Sequence, residues 1–284
     1  MEDFEGLPDE RLARFAHSYF WYEKPIAELA TVLANVIAFS HGDTQVRVEG
    51  ELLPGGMTFC AVHEPAVVSY SKGPGALFAI RLLPGALDRL FHIDPREGRG
   101  VTVVRDSDVD LKTLRDALRR APQEAAAQFA AADRALVDLL PQAKPRNVAD
   151  RYIDLLVQND PAGDLVEIAS RLGCSLRTLE RACAARFARS PKRILRGIRA
   201  AHTFNLEQRT GERPETMAQF AYADLAHYAN DLRKITGRSR TQHSRETRRE
   251  KERQVTRLWP DGTIARTAED RRHWEEEQDR RYRR

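Results

Sequence analysis

Apolar residues recur along this chain in two different rhythms. Up to about residue 105 they come as short runs or alternations: LANVIAFSHG (33–42), TQVRVEGEL (44–52), GMTFCAVHE (56–64), AVVSYSK (66–72) and ALFAIRLLP (76–84). HGD, PGG, HEP and GPG separate them. Short runs punctuated by glycine and proline predict β-strands, and strands at this spacing predict a small antiparallel barrel or sandwich. SYFWYEK (18–24) is a further strand with core and edge aromatics, with a ligand-pocket wall as the alternative. From about residue 108 the apolar spacing becomes helical. SDVDLKTLRDALRR has acids in its first turn and arginines in its last, which suits the helix dipole. AAAQFAAADRALVDLL and VADRYIDLLVQN continue the helical pattern, and PQAKPRN (141–147), with two prolines and no apolar run, reads as the linker between them.

The segment DLVEIASRLGCSLRTLERACAARF (164–187) holds two helical patterns and a tight junction. Leu165, Ile168, Ala169 and Leu172 recur at 3–4 spacing. Gly173 allows the positive φ that ends a helix, and Ser175 can cap the next one. Projecting 176–187 at about 100° per residue gathers Leu176, Leu179, Cys183 and Phe187 on one side. Arg177, Thr178, Arg181, Ala182, Ala184 and Ala185 fall on the other. Small side chains there let the helix axis approach a surface, and arginine offers a bidentate fork to guanine or phosphate. Taken alone, an ordinary solvated face accounts for the same residues.

Downstream the pattern repeats. ARSPKRILRGIRAAHTFNLEQ begins with Ser190 as a cap and Pro191 at the first helical position. Ile194, Ile198, Ala201 and Phe204 form an apolar stripe, and Lys192, Arg193, Arg196 and Arg199 supply charge. PETMAQFAYA (214–223) predicts a short helix, and DLAHYANDLRKITG (224–237) a second. In the latter Tyr228, Leu232 and Ile235 face inward, while Ala226, His227, Asn230, Arg233 and Lys234 face outward. The connecting helix, at roughly 19 residues, is about 28 Å long. One turn of B-DNA is about 34 Å, so such a rod suits two reading helices in successive major grooves.

Charge supports this division. The chain has 284 residues, 42% hydrophobic and 31% charged, with a net charge of +4. Residues 1–162 carry 18 Lys+Arg against 24 Asp+Glu, residues 163–245 carry 16 against 8, and residues 246–284 carry 12 against 10. The net charges of −6, +8 and +2 restore the total of +4. An acidic front joined to a basic back is the pattern of a sensing or assembly domain attached to a polyanion binder.

Other chemistries find little support. No apolar run approaches the roughly 18 residues of a membrane span, and the acidic start MEDFEGLPDERLARF lacks a signal core. The expectation is a cytoplasmic protein with no membrane partner. Cys60, Cys174 and Cys183 have neither disulfide-framework nor CxxC spacing, and Cys183 reads as a small hydrophobe. His41, Glu49 and His63 do not make the H-x-H cluster of a metal-binding barrel. GPGAL (73–77) lacks the Lys-Ser/Thr of a phosphate loop, and a hairpin turn explains it. No nucleophile–base constellation appears. The expectation is therefore no cofactor, no metal and no catalytic residues.

Residues 164–245 resemble the DNA-binding domain of the AraC/XylS family of bacterial transcription regulators. LVEIASRLGCSLRTLERACAARF matches the LxxIAxxLGxSxRTLxRxF pattern, SPKRILRGIR matches the start of the linking helix, and DLAHYANDLRKITG matches D-x-x-H-aromatic followed by LRKxTG. The resemblance implies two helix-turn-helix units joined by a long helix, both binding DNA. It places Ser175, Arg177, Thr178 and Arg181 on the first recognition helix, and Ala226, His227, Asn230 and Arg233 on the second. Ala185, Lys192, Arg193 and Lys234 complete the DNA-facing set. Ala188 and Ala221 stand where the family usually has glycine, and Arg240 where proline is common. These departures leave open whether the second unit reads bases or grips phosphate. ALFAIRLLPGALDRLF is similar to a strand, turn and helix in the β-rich sensor domains of one variety of the family.

The expected fold is α+β: an N-terminal β-barrel-like (cupin-like) domain with helices over 1–145, an all-α double helix-turn-helix domain over 146–245, and a charged tail over 246–284, solvated or disordered unless Trp259 and Trp274 dock it. The expected function is a sequence-specific transcription regulator, nucleoid-associated when bound to double-stranded DNA. RNA polymerase, a small-molecule effector and a second copy of the chain are its further expected partners. A cupin-like enzyme with a DNA-targeting domain, or an interaction protein with a degenerate DNA-binding domain, are the alternatives.

Overall fold

The computed structural model describes residues 3–23, 27–29, 35–48, 51–53, 56–60, 68–72, 75–96, 101–103, 109–158, 164–210, 222–237, 239–242, 244–245, 255–265 and 267–283. Strands fill the front of the chain: β1 (Asp3–Gly6), β2 (Ala16–Tyr22), β3 (Ala27–Leu29), β4 (Asn35–Ser40), β5 (Gln45–Val48), β6 (Glu51–Leu53), β7 (Met57–Cys60), β8 (Val68–Lys72), β9 (Leu77–Leu82) and β10 (Val101–Val103). Helices α1 (Ala86–Phe91), α2 (Val109–Arg120) and α3 (Ala125–Leu139) accompany them. The back is helical: α4 (Val148–Gln158), α5 (Leu165–Arg171), α6 (Leu176–Phe187), α7 (Pro191–Thr210) and α8 (Leu225–Thr236). The chain closes with a strand, β11 (Val255–Leu258), and a helix, α9 (Ala268–Arg283). The fold is mixed, with most strands before most helices.

One sheet has seven strands in the order β10-β7-β4-β9-β2-β1-β11, and a second has four in the order β3-β8-β5-β6. TQVRVEGEL, expected as one strand, supplies two, β5 and β6, which pair antiparallel with Val46 opposite Leu53. In the centre of the large sheet successive side chains point to opposite faces. Tyr19, Trp21, Ile37, Phe39, Phe78 and Ile80 pack against α2 and α3, meeting Leu114, Leu118, Phe129 and Leu136. Phe20, Tyr22, Leu77 and Ala79 form a separate cluster on the other face. The aromatic run Tyr19–Tyr22 thus lies in a strand whose rings divide between two faces.

His41 is buried beside Trp21 and Phe39 and bonds Gln128 at 3.2 Å. The Gln128 amide in turn donates to the carbonyls of Leu118, Ala121 and Pro122, tying the end of α2 to α3. Burial lowers the His41 pKa, outweighing the Gln128 hydrogen bond. Glu49 and His63 lie outside the described residues.

The expected linker is bound along its length. After a 3₁₀ turn (Leu140–Gln142), the Lys144 amide donates to the Arg89 carbonyl at 2.9 Å and its ammonium meets Asp88 at 2.6 Å. Arg89 returns a bond from Nε to the Lys144 carbonyl. The back half has two clusters. One joins Tyr152, Ile153 and Leu156 of α4 with Ile168, Leu179, Cys183, Phe187, Ile194 and Ile198. The other joins Ala200 and Phe204 of α7 with Tyr222, Tyr228, Leu232 and Ile235. Helix α7 belongs to both.

The segment expected to form a charged tail docks on the body. β11 adds to β1 in parallel, with Asp3 opposite Val255 and Gly6 opposite Leu258. From α9, Trp274 is 1% exposed, packs with Leu7 and Ala265, and donates from Nε1 to the Leu258 carbonyl at 2.9 Å. Arg281 donates to the Pro8 carbonyl, and Gln278 to Glu5 at 3.3 Å. Few apolar residues suffice because one of them is a tryptophan with its polar edge satisfied.

Replacing Trp274 by alanine removes the centre of this contact and lowers unfolding stability by about 3–5 kcal/mol. Urea denaturation of the full chain measures it; a stability equal to wild type contradicts the docking.

Candidate nucleic-acid interface

Helix α5 starts at Asp164, whose carboxylate accepts from the Val166 amide at 2.7 Å. It ends in a Schellman turn. The Gly173 amide donates to Ser170 and the Cys174 amide to Ala169, with Gly173 at φ +69°. Ser175 then caps α6. Its Oγ accepts from the Thr178 amide at 3.1 Å and lies 2.9 Å from Oγ1 of Thr178. Two of the sequence-selected residues, Ser175 and Thr178, therefore shape the start of α6.

The faces of α6 follow the helical period. Leu179 and Cys183 are fully buried and Phe187 nearly so, and burial pushes the Cys183 thiol up to about 12. Arg177, Arg181, Ala184 and Ala185 are exposed, whereas Ala182 is half-buried against the core. Arg177 and Arg181, one turn apart, have no hydrogen-bond or ion-pair partner among the described residues. Two free cations in a field of alanines leave a slender, positive face.

Arg186 was not singled out by sequence, and it has a different task. It is 5% exposed. Its guanidinium pairs with Asp88 of α1, lies 3.3 Å from Asp150 of α4, and donates to the Pro145 carbonyl at 3.0 Å. The turn before α1 closes on the same group. A Cβ at Gly85, where φ is +80°, would stand 3.0 Å from Cδ of Arg186 and 3.2 Å from both Asp150 Oδ1 and Phe187 Cε1. The sequence signal was available. Arg186 lies seven residues after Leu179, on the same face, where a cation needs acidic partners.

Ala188 caps α6 in the left-handed region, at φ 52° and ψ 28°. That explains why glycine suits this position, since a Cβ strains there. Helix α7 then begins at Pro191, with Ser190 Oγ accepting from the Arg193 amide at 3.4 Å. The Pro191 carbonyl accepts the Tyr152 hydroxyl at 2.9 Å, fastening α7 to α4. Lys192 and Arg193 are exposed at its first turn. Ala201, expected in the apolar stripe, is exposed, and Ala200 takes the buried place. Arg196 pairs with the buried Asp231 of α8, with Nε at 3.2 Å, so it is a strut between helices.

Helix α8 is capped by Asp224, which accepts from the His227 amide at 2.7 Å, and ends at Gly237 with φ +69°. Tyr228, Leu232 and Ile235 are buried. Ala226, His227, Asn230, Arg233 and Lys234 are exposed, with the His227 ring set edge-on to Tyr222 at 5.1 Å. Arg240 pairs with the buried Glu207 of α7. The helix expected over 214–223 lies, but for its last two residues, outside the described residues.

Similar solved structures include ToxT from Vibrio cholerae in its P21 form, 9% identical over 80% of this chain and 97% of that chain, with a TM-score of 0.46. Unsaturated fatty acid bound wild-type ToxT from Vibrio cholerae strain SCE256 is 9% identical over 85% of this chain and 93% of that one, at 0.43. The AraC-like transcriptional activator CuxR is 11% identical over 60% and 69%, at 0.26. No protein-family model matches the chain, and no curated protein matches it. At such distances the placement of each residue rests on this chain's own geometry.

Replacing Ala188 by glycine relieves the left-handed strain and raises stability by about 1 kcal/mol. Chemical denaturation of the two proteins checks the sign; a destabilised glycine variant contradicts the cap geometry.

Proposed function

We propose that this chain is a sequence-specific DNA-binding transcription regulator of the AraC/XylS kind. The observation that carries the reading is the exposed face of α6. Arg177 and Arg181 stand one turn apart, unpaired among the described residues, between alanines small enough to admit a groove wall. Helix α7, 20 residues and so about 30 Å long, leads to α8 and a second small, basic face. Phosphate contacts supply affinity, and base-edge contacts supply specificity. Lys192 and Arg193, at the start of α7, and Lys234 on α8 take phosphates. Ser175, Thr178 and Ala185 set the approach of α6, and Ala226, His227, Asn230 and Arg233 present the second reading surface.

In this reading residues 146–245 form a double helix-turn-helix domain and residues 1–145 a cupin-like sensor or dimerisation domain. Residues 255–265 and 267–283 return to the front domain. The protein acts in the cytoplasm on the nucleoid, makes and breaks no bond, and alters recruitment of RNA polymerase. Its front domain answers a small-molecule effector or a second copy of the chain. No helix among the described residues is long and apolar enough to cross a membrane.

Arg177→Ala and Arg181→Ala each weaken binding to the selected DNA site by about 1–3 kcal/mol. Fluorescence anisotropy with sites recovered from a randomised duplex pool measures this. Unchanged affinity in both variants removes α6 from the interface, and absence of DNA binding at low salt favours the interaction-protein alternative.

Lys192→Ala weakens selected and random duplexes alike and reduces the salt slope by about 1. A loss confined to the selected site contradicts a phosphate role for Lys192.

A further inference from the structure

A cavity lies where the front of the chain, α4 and α9 meet. It holds about 600 Å³ of empty space, part of it open to solvent. Its charged wall is Arg14, Arg89, Arg146, Asp150, Asp154 and Arg281. Leu83, Pro84, Ile153 and Val157 give it an apolar side.

The charges do not balance. Asp154 is taken by Arg146. Asp150 is taken by Arg186 and by the Asn147 amide. Arg281 is held by Glu277 at 2.7 Å and by the Pro8 carbonyl. Two cations remain. Arg89 is only 8% exposed, yet it has no carboxylate partner among the described residues. Its guanidinium lies 4.3 Å from the Phe15 ring centroid, and only Nε is engaged, by the Lys144 carbonyl. Arg14 is exposed and likewise without a partner among the described residues. Burial lowers the Arg89 pKa, and the charges of Arg186, Arg146 and Arg14 press it the same way against the pull of Asp150. A largely buried guanidinium with no carboxylate in contact is costly unless an anion completes it. Its planar fork matches a carboxylate or a phosphate.

We propose that this cavity binds a small organic dianion, a phosphate monoester or a dicarboxylate, through Arg89 and Arg14, with its carbon skeleton on Leu83, Pro84 and Ile153. The site joins the functional reading at one residue. Asp150 lines the cavity and also holds Arg186 of the reading helix. The anion neutralises Arg89, a rival for Asp150, and so tightens the Asp150–Arg186 contact that seats α6 on the front of the chain. The anion site itself is independent of DNA; its influence on DNA affinity rests on the proposed function.

Titration calorimetry of the full chain without DNA, at fixed ionic strength, tests the site with inorganic phosphate and with succinate as separate probes. One equivalent of at least one probe binds saturably with a Kd of about 1 mM or tighter. The stronger probe identifies the class of headgroup. Arg89→Gln weakens that probe at least about tenfold, and Arg14→Ala at least about threefold. The exposed Arg14 variant keeps the test decisive if Arg89→Gln does not fold. The double variant R177A/R181A retains the anion. No saturation by either probe below about 10 mM overturns the site. So does binding that ignores Arg14→Ala, or binding lost in R177A/R181A, which places the anion on the reading face. Where wild type binds DNA, saturating probe raises its affinity at constant ionic strength, and an unchanged value overturns the coupling alone.

Discussion

The arrangement of the two halves depends on one buried cation. Arg186 ends the apolar face of α6, yet its partners lie elsewhere, on α1 through Asp88 and on α4 through Asp150. A buried ion pair adds little net stability, but losing one member leaves a charge stranded, at about 3–5 kcal/mol. Such a contact therefore works by direction. It fixes where α6 sits on the front of the chain and excludes other placements. Gly85 completes the constraint, since at its positive φ a side chain is strained and its Cβ would press on Arg186 at 3.0 Å. The linker, held by Lys144 and Arg89, adds no play.

The basic residues of the back half divide by task. Arg196 and Arg240 are committed to Asp231 and Glu207, and hold α7 to its neighbours. Arg186 holds α6 to the front. Arg177 and Arg181 have no such duty among the described residues, which leaves their forks available to a polyanion. Counting arginines on a sequence cannot separate these groups, because the separation depends on where the acids come to lie.

The helical period made much of α6 legible: Leu179, Cys183 and Phe187 are buried where the projection placed them, and Arg177 and Arg181 are exposed. Arg186 was not singled out, and its acidic partners at 88 and 150 have no local signature. Ala201 was misplaced by one residue for a related reason. Helix α7 packs first on α4–α6 and then on α8, so its buried stripe shifts from Ile194 and Ile198 to Ala200 and Phe204. β11 was missed because it is four residues long and its partner strand begins at Asp3. The anion cavity was out of reach for the same reason: Arg14, Arg89, Arg146 and Arg281 come from four separate segments.

The parallel pairing of β1 with β11 has a consequence for synthesis. A chain leaving the ribosome presents β1 long before β11. Until then the large sheet has an open edge at Asp3–Gly6, and the ring of Trp274 is not yet there to cover Leu7. Open edges and uncovered apolar surface are where growing chains associate wrongly. β1 thus waits for a partner made after the helical half. Emergence of β11, rather than completion of the front half, is the moment at which that edge is covered.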